Sequence, residues 1–528
     1  MHFPSLLLAL FVLILSLIFL LYNHLFRNHS NQNRNFPPQV AGSLPIIGHL
    51  HLLRGPKPVA RTFGSLADKS GPIFSIWVGA HRTVVISSHQ AMKEFFTTND
   101  RILASRPPST QAKHLGYNYA AMAFAPYGTY WRDMRKLSMI HLLSLYRLKS
   151  LKHFRVSEVD KMIRDLYIEC ERNDEGSAKV VMSEWLEHLT LNTITRIVSG
   201  KRLFDVDNNE NDKEGNVVAK TMADVMYYMG VPVPGDFIPF LGRFDFRGVV
   251  KKMEQVGKAF DSVMDKWIEE HELRRLDTTT SHKHDNDQAN QDILDVMLST
   301  VEDYPEYGHT RESIIKATAM TFIIAGSDSS AITLTWMVCN LLNNRRCLEL
   351  AQEELDSKVG RERVVEDSDI DNLQYLQAII KETLRLYPPG PVATPHEATQ
   401  DCTLCGFDIP KGTRLVINLW KLHRDPSVWS DPEEFRPERF LTSHANLDVY
   451  GQNHEYLPFG SGRRICPGLN LAMQVLQLSL ARLLQAFELT TPCNEPVDMT
   501  ESFSLVLLKK TPLEVVLTPR LAPQLYDQ

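Results

Sequence analysis

FGSGRRICPG, residues 459–468, sets one cysteine, Cys466, between two glycines and behind a pair of arginines, and LNLAMQVLQLSLARLLQAF follows it directly. That following run has helical periodicity and Pro467 suits a first helical turn, so the pattern predicts Cys466 at a helix N-terminus. Unpaired backbone N–H groups and the helix dipole there favour a thiolate over a thiol. Gly462 and Gly468 allow the chain to turn closely around the sulfur, and Arg464 brings a fixed charge two residues away. A buried thiolate beside an arginine points to iron ligation by sulfur, with the arginine left to meet an acidic group of a cofactor. A nucleophilic cysteine and an inert buried one are the rival readings of the same residues.

The rest of the chain sets bounds on that choice. A length of 528 residues with 43% hydrophobic content can bury a large core, and by length alone suggests two or more domains unless the chain is one large helical enzyme. A formal charge of -6 gives no basic field for a polyphosphate, so nucleic acid is not expected as a partner. Cys170, Cys339, Cys347, Cys402, Cys405, Cys466 and Cys493 are odd in number and lack framework spacing, which argues against a disulfide-built secreted domain. Cys402 and Cys405 form a CxxC with no second ligand pair at zinc-site spacing, and are expected to be structural.

SLLLALFVLILSLIFLLY, residues 5–22, is close to the length of a bilayer-crossing helix. It lacks the basic start and small-residue cleavage site of a signal peptide, so residues 1–24 are expected to be a retained membrane anchor. Arg27, Arg34, Arg54 and Lys57 all follow the run, which places the downstream chain in the cytosol. Residues 25–50 are basic and carry prolines at 37, 38 and 45, a stiff linker, and 51–528 form the body. DTTTSHKHDNDQANQ, 277–291, has no apolar periodicity and is expected as a mobile surface connection, its His282, His284, Asp285 and Asp287 being solvated rather than a metal site. KATAMTFIIAGSDSSAITLTWMVCNLL, 316–342, is apolar around most of its circumference and should be a buried helix. AQEELDSKV and YLQAIIKETLRLY read as amphipathic helices. Strand-like pieces are few: IFSIWVG, TVVISS, CTLCGFDIP, RLVINLW and LEVVLTPR. The expected class is mainly α with small separate β-sheets.

With these segments in place, Phe459, Gly462, Arg464, Cys466 and Gly468 are seen to reproduce FxxGxRxCxG, the haem-binding signature of the cytochromes P450, and the chain resembles that family from anchor to C-terminus. WRDMR (131–135), AGSDSS (325–330), KETLR (381–385) and FRPERF (435–440) stand in the family's order. The resemblance implies the P450 fold, a long central helix over the haem, and haem b held by the Cys466 thiolate. Electrons would come from NADPH through a membrane-bound NADPH–cytochrome P450 reductase, and the enzyme would sit in the endoplasmic reticulum membrane by a single span.

The motifs also carry local chemistry. Glu382 and Arg385 are three apart and share a helix face, which alone would make a surface ion pair of about 0.3 kcal/mol. The resemblance implies instead that they join Arg439 in a buried structural triad. Trp131 and Arg135 share a face too, and by the resemblance they reach a haem propionate together with Arg464 and His396, where many relatives carry arginine. In AGSDSS, Gly326 weakens the helix and Ser329 and Ser330 can bond back to carbonyls a turn earlier, so the helix is expected to open there for a small ligand. The resemblance places Ala325 and Gly326 over the iron and gives Asp328 and Ser329 the delivery of protons to dioxygen. Serine stands where the family usually has threonine, keeping the hydroxyl and losing the methyl that restrains its rotamer. Arg132, Lys136, Arg147, Lys149 and Lys152 are candidate reductase contacts.

PHEATQDC, GSGRRICPG and TPRLAP resemble the plant A-type group, which contains nicotine demethylases, tropinone synthase and isoquinoline alkaloid hydroxylases alongside terpenoid, coumarin and flavone oxidases. His114, Leu115, Phe322, Ala325, Val392, Thr394 and Leu505 are the candidate substrate-pocket residues. The expected activity is hydroxylation, oxidative N-demethylation or cyclisation of a small specialised metabolite, with a tropane or pyrrolidine alkaloid amine preferred and a terpenoid, coumarin or flavonoid as the alternative. A haem-thiolate isomerase or lyase working without oxygen, and a non-catalytic haem sensor, are the other classes weighed.

Overall fold

A computed structural model describes residues 34–55, 57–204, 213–280, 291–502 and 506–527, together with Leu13. Apart from Leu13, the expected membrane anchor, residues 1–24, lies outside the described residues, as do His282, His284, Asp285 and Asp287 of the polar connection. The first part of that connection is not a loop, since residues 277–280 close the helix Val249–Thr280.

The helices that position the site are α1 (Thr129–Leu137), α2 (Met182–Ser199), α3 (Val249–Thr280), α4 (Arg311–Asn343), α5 (Gln374–Leu386) and α6 (Leu469–Ala486). Thr310 caps α4 by accepting the Ser313 N–H at 3.2 Å, and Glu312 adds an acid to its first turn, so the helix starts before its apolar stretch does. Its 33 residues span about 50 Å at 1.5 Å per residue. By length and hydropathy α4 would pass as a membrane span, yet it lies buried through the centre of the protein.

Two apolar cores share that helix. Residues 314–323 pack with α1 and α2 in one, and residues 332–342 pack with α5 and α6 in the other. The stretch between them, with Ala325, Gly326, Asp328 and Ser329, belongs to neither. Helix α4 does not open at Gly326 as the sequence suggested, for it is unbroken from Arg311 to Asn343. The glycine serves close packing on α2: a Cβ there would stand 2.9 Å from Ile194 Cδ1 and from Cγ1.

Strands β1 (Ile73–Val78), β2 (His81–Ile86), β3 (Ala178–Val181), β4 (His396–Glu397), β5 (Cys402–Leu404), β6 (Phe407–Ile409), β7 (Arg414–Ile417), β8 (Phe487–Thr490) and β9 (Glu514–Pro519) form small separate sheets. One has the order β1-β2-β7-β4, with β2 parallel to β7, a second runs β3-β9-β8, and β5-β6 is a hairpin. The described part of the proline-rich stretch bonds to the first sheet. Ser75 donates to Pro38 O at 2.8 Å, Val40 to Ser75 O at 3.1 Å, and Trp77 N–H to His49 Nδ1 at 2.9 Å. In the hairpin, Cys405 and Gly406 turn the chain with φ of 49° and 79°, the twist a two-residue β-turn needs. Burial pushes both Cys402 and Cys405 thiols up to about 11, so the CxxC stays protonated at neutral pH.

Candidate functional site

The site grows from the loop before α6. Cys466 donates its N–H to Phe459 O at 2.9 Å, which closes the loop on itself, and Gly468 is the residue before the helix's first turn. Pro467 therefore lies just outside α6 rather than in its first turn. Gly462, at φ 62°, is required for a different contact from the one its place in the motif suggests: a Cβ there would fall 2.6 Å from Asp100 Oδ1. Asp100 binds the first arginine of the pair, Arg463 Nη1 at 2.6 Å, while Arg463 Nε reaches Tyr127 Oη at 3.0 Å. Gly468 is the glycine beside the sulfur, its Cβ position 3.9 Å from Sγ.

Arg464 points away from Cys466. Its guanidinium donates to Ala104 O at 2.8 Å, Met122 O at 3.0 Å and Ala125 O at 2.6 Å, and lies 4.5 Å over the Trp131 ring. The charge that acts on the sulfur is Arg135, whose Nη1 donates to Ile465 O at 2.7 Å. Burial pushes the Cys466 thiol up, against the opposing pull of the Gly468 N–H and Arg135. Only a cation in contact with the sulfur would hold it as thiolate, and a bound metal does that outright.

A third arginine completes this region. Arg106 Nη1 donates to Thr394 O at 2.6 Å and Pro395 O at 2.9 Å, and Arg106 Nε to Ala123 O at 3.3 Å. Arg106, Arg135 and Arg464 make no ion pair with any carboxylate among the described residues. Burial and the other two arginines disfavour the charge on Arg464, and burial disfavours it on Arg106, so both guanidinium groups are held at a cost that an anion would relieve. Three crowded cations whose only acceptors are backbone carbonyls form a receptor for a polyanion. His396, 4% exposed, stands at the same place, with Nδ1 2.7 Å from Leu103 O and the rings of Phe95 and His396 edge-on at 5.1 Å. Trp131, Arg135, His396 and Arg464 are thus brought together, and Arg106 joins them. A group with two carboxylates and a metal seeking one thiolate, as in an iron porphyrin, matches this donor set.

Along α4, Ala325 is exposed and Ile324, Gly326, Asp328 and Ser329 around it are half-buried, in contrast to the buried stretches on either side, so this turn borders open space. Ser329 Oγ donates back to Ala325 O at 2.5 Å. Asp328, two residues on from Gly326, is raised to about 6 by burial and by Glu187 of α2, a carboxyl poised to exchange protons near neutral pH.

Behind the cysteine loop, Glu382 accepts from Arg385 Nε at 2.7 Å and Nη2 at 2.8 Å, from Arg439 Nε at 3.0 Å and from the Arg436 N–H at 2.9 Å. All three side chains of the Glu382, Arg385 and Arg439 triad are 0% exposed. Arg385 also donates to His423 O, Pro432 O and Glu434 O, so the triad ties α5 to the chain leading into the loop.

The candidate pocket residues come from separate parts of the fold. Leu115 packs with Val233 and Met253, His114 pairs with Glu254 of α3 at 3.4 Å, and Phe322 belongs to the core around the first half of α4. Val392 pairs with Asn418 beside the first sheet, Thr394 is exposed, and Leu505 lies outside the described residues. Of the basic docking candidates, Arg147 is buried and donates to Gln291 O and Asp292 O, which removes it from any docking face. Arg132, Lys136 and Lys149 are exposed.

The sequence profile described as Cytochrome P450 matches residues 37–517. The chain is 50% identical to cytochrome P450 CYP82J17 of Trigonella foenum-graecum, covering 93% of this chain and 92% of that one. It is 46% identical to xanthotoxin 5-hydroxylase CYP82C2 of Arabidopsis thaliana, covering 98% and 99%, and 43% identical to strychnine-10-hydroxylase of Strychnos nux-vomica, covering 100% and 99%. Among solved structures, a zebra fish cytochrome P450 with progesterone aligns at a TM-score of 0.71 with 27% identity, covering 88% of this chain and all of that one.

Proposed function

The chain belongs to the cytochrome P450 family, in its plant A-type branch, as an oxygen-incorporating haem-thiolate monooxygenase supplied with electrons by a reductase, and on that premise we propose that it hydroxylates a small alkaloid. The observation that carries the assignment of the site is the arginine cluster without an acid beside the Cys466 thiol. Haem bound there supplies activation of dioxygen for insertion into a C–H bond. The protein's own part follows from its geometry. Cys466 Sγ would ligate the iron, with Gly468 N–H and Arg135 stabilising its negative charge. Arg106, Arg135, Arg464 and Trp131 receive the haem carboxylates. Asp328 carries a proton that neutral pH can both load and remove, and the Ser329 hydroxyl, now resting on Ala325 O, turns to pass it into the open space of α4.

Hydroxylation, rather than N-demethylation or ring closure of a tropane or pyrrolidine amine, is supported by relatives whose names are hydroxylases, one of them acting on strychnine. A coumarin is the second reading, favoured by the xanthotoxin 5-hydroxylase relative. We further propose attachment to the endoplasmic reticulum membrane, supported by the apolar run at 5–22 and by exposed Leu44, Ile46, Phe240, Phe244 and Phe246 on the body. The test is turnover with purified NADPH–cytochrome P450 reductase against panels of alkaloids and coumarins. An NADPH-dependent product carrying one added oxygen from an alkaloid is expected. Conversion of a hydroperoxide without NADPH would make the chain an isomerase instead, and products from coumarins alone would replace the alkaloid reading.

A further inference from the structure

We propose that His396 takes up a proton when the haem carboxylates enter the arginine cluster, so that this one side chain couples the charge around the haem to pH. The inference rests on the haem-protein reading above and goes beyond it to a residue whose protonation that reading leaves open.

Nδ1 of His396 stands 2.7 Å from the Leu103 carbonyl oxygen, which can only accept, so Nδ1 carries the hydrogen. A neutral ring then presents a lone pair at Nε2, and a lone pair repels a carboxylate. The ring cannot rotate to offer its other nitrogen without abandoning Leu103 O, since it is 4% exposed and closed on one side by Phe95. To serve an anion, His396 must therefore gain a second hydrogen at Nε2.

The groups around the ring explain why that proton is absent before the anion arrives. Burial holds the imidazole well below its ordinary range, and the nearby charges of Arg106 and Arg464 push the same way. Glu397, next in β4, is turned to Arg414 of β7 and leaves the ring without an acid. A carboxylate placed among Arg106, Arg135 and Arg464 neutralises the two repelling charges and supplies the missing acceptor. A proton then moves from solvent to Nε2, forming one N–H bond, and returns to solvent when Nε2 loses its acceptor. An arginine at this position is charged at every pH at which the protein is folded. Histidine makes the charge removable, and a removable positive charge near the haem shifts its reduction potential with pH.

The test is spectroelectrochemical titration of the full-length holoprotein in lipid nanodiscs, without substrate, from about pH 5.5 to 8.5, the range over which histidine titrates. Wild type is compared with His396→Arg, which is always charged, and His396→Gln, which never is. The wild-type potential should run parallel to His396→Arg at the acid end and to His396→Gln at the alkaline end. The step between the two limbs is expected to be about a tenfold change in the one-electron equilibrium, or 59 mV. Asp328 and the haem carboxylates are present in all three proteins and cancel from the comparison. A wild-type curve parallel to His396→Arg across the whole range, or to His396→Gln, overturns the proposal. If His396→Gln does not hold haem, wild type against His396→Arg decides alone. A chain that binds no haem at all would instead refute the functional assignment.

Discussion

Replacing Glu382 by alanine removes the one carboxylate that two fully buried arginines share. Four hydrogen bonds end on it, from Arg385 Nε and Nη2, Arg439 Nε and the Arg436 N–H. Breaking a buried pair by deleting one partner costs about 3 to 5 kcal/mol, because the remaining charge stays desolvated. Two observations set where in that range this case falls. Both guanidinium groups keep carbonyl acceptors, Arg385 at His423, Pro432 and Glu434, and Arg439 at Ser430, Asp431 and Glu434. Those acceptors satisfy geometry and leave the net charge uncompensated, so the lower end, about 3 kcal/mol, is expected, which multiplies the unfolded fraction by on the order of 100. The acceptors on Arg385 lie in the segment that leads to the cysteine loop, so the loss should appear as poor haem retention before it appears as unfolding. Glu382→Ala is assayed by haem content per polypeptide and by the denaturant midpoint, with Glu382→Gln as the variant that keeps volume and loses charge. Full haem occupancy with an unchanged midpoint in both variants would refute the reasoning.

Ser329→Ala should raise the hydrogen peroxide released per NADPH consumed, measured with reductase present, and Ser329→Thr should lower it below wild type because the added methyl restrains the rotamer. Asp328 has a folded value of about 6 against an ordinary 3.8, so the folded chain binds this proton more tightly than the unfolded one. Its contribution is fully present only below the unfolded value near pH 4 and is lost as pH rises through 6, so Asp328→Asn should stabilise the protein at pH 7 by at most about 3 kcal/mol, with the difference fading as the pH falls below about 4, while slowing turnover. Gly462→Ala should lose haem, because its Cβ would meet Asp100 at 2.6 Å with φ at 62°. Gly468→Ala should cost less, since its nearest neighbour is Cys466 Sγ at 3.9 Å, and absorbance spectra of the purified variants decide the order.

The central helix was legible because a long apolar stretch without proline has few alternatives, and its true start at Arg311 was hidden only by a polar first turn capped by Thr310. Strands β1, β2, β7 and β9 and the Cys402 hairpin announced themselves by alternation and turn residues, whereas β3 and β8, four residues each, are too short to show a period. The roles of glycines were less legible than their presence. Gly326 and Gly462 are shaped by Ile194 and Asp100, partners far away in sequence, and nothing in AGSDSS or FGSGRRICPG names them. Arg106 escaped notice for the same reason: it sits in a loop without periodicity, and only the fold brings it to Thr394 and Pro395. Arg147 misled in the opposite direction, since a basic run reads as surface and the carbonyls of Gln291 and Asp292 that bury its guanidinium come from a remote segment. Local spacing could pair Glu382 with Arg385, and Arg439 was supplied by the family resemblance alone.

The absorption spectrum of the reduced protein under carbon monoxide, recorded in freshly prepared membranes, bears most directly on whether sulfur from Cys466 holds the iron. The strongly red-shifted band of a thiolate-ligated haem is predicted for the wild type and its loss for Cys466→Ser, with Cys402→Ser and Cys405→Ser unchanged. A wild-type band of the kind given by imidazole-ligated haem, or a thiolate band that survives in Cys466→Ser, would contradict the account.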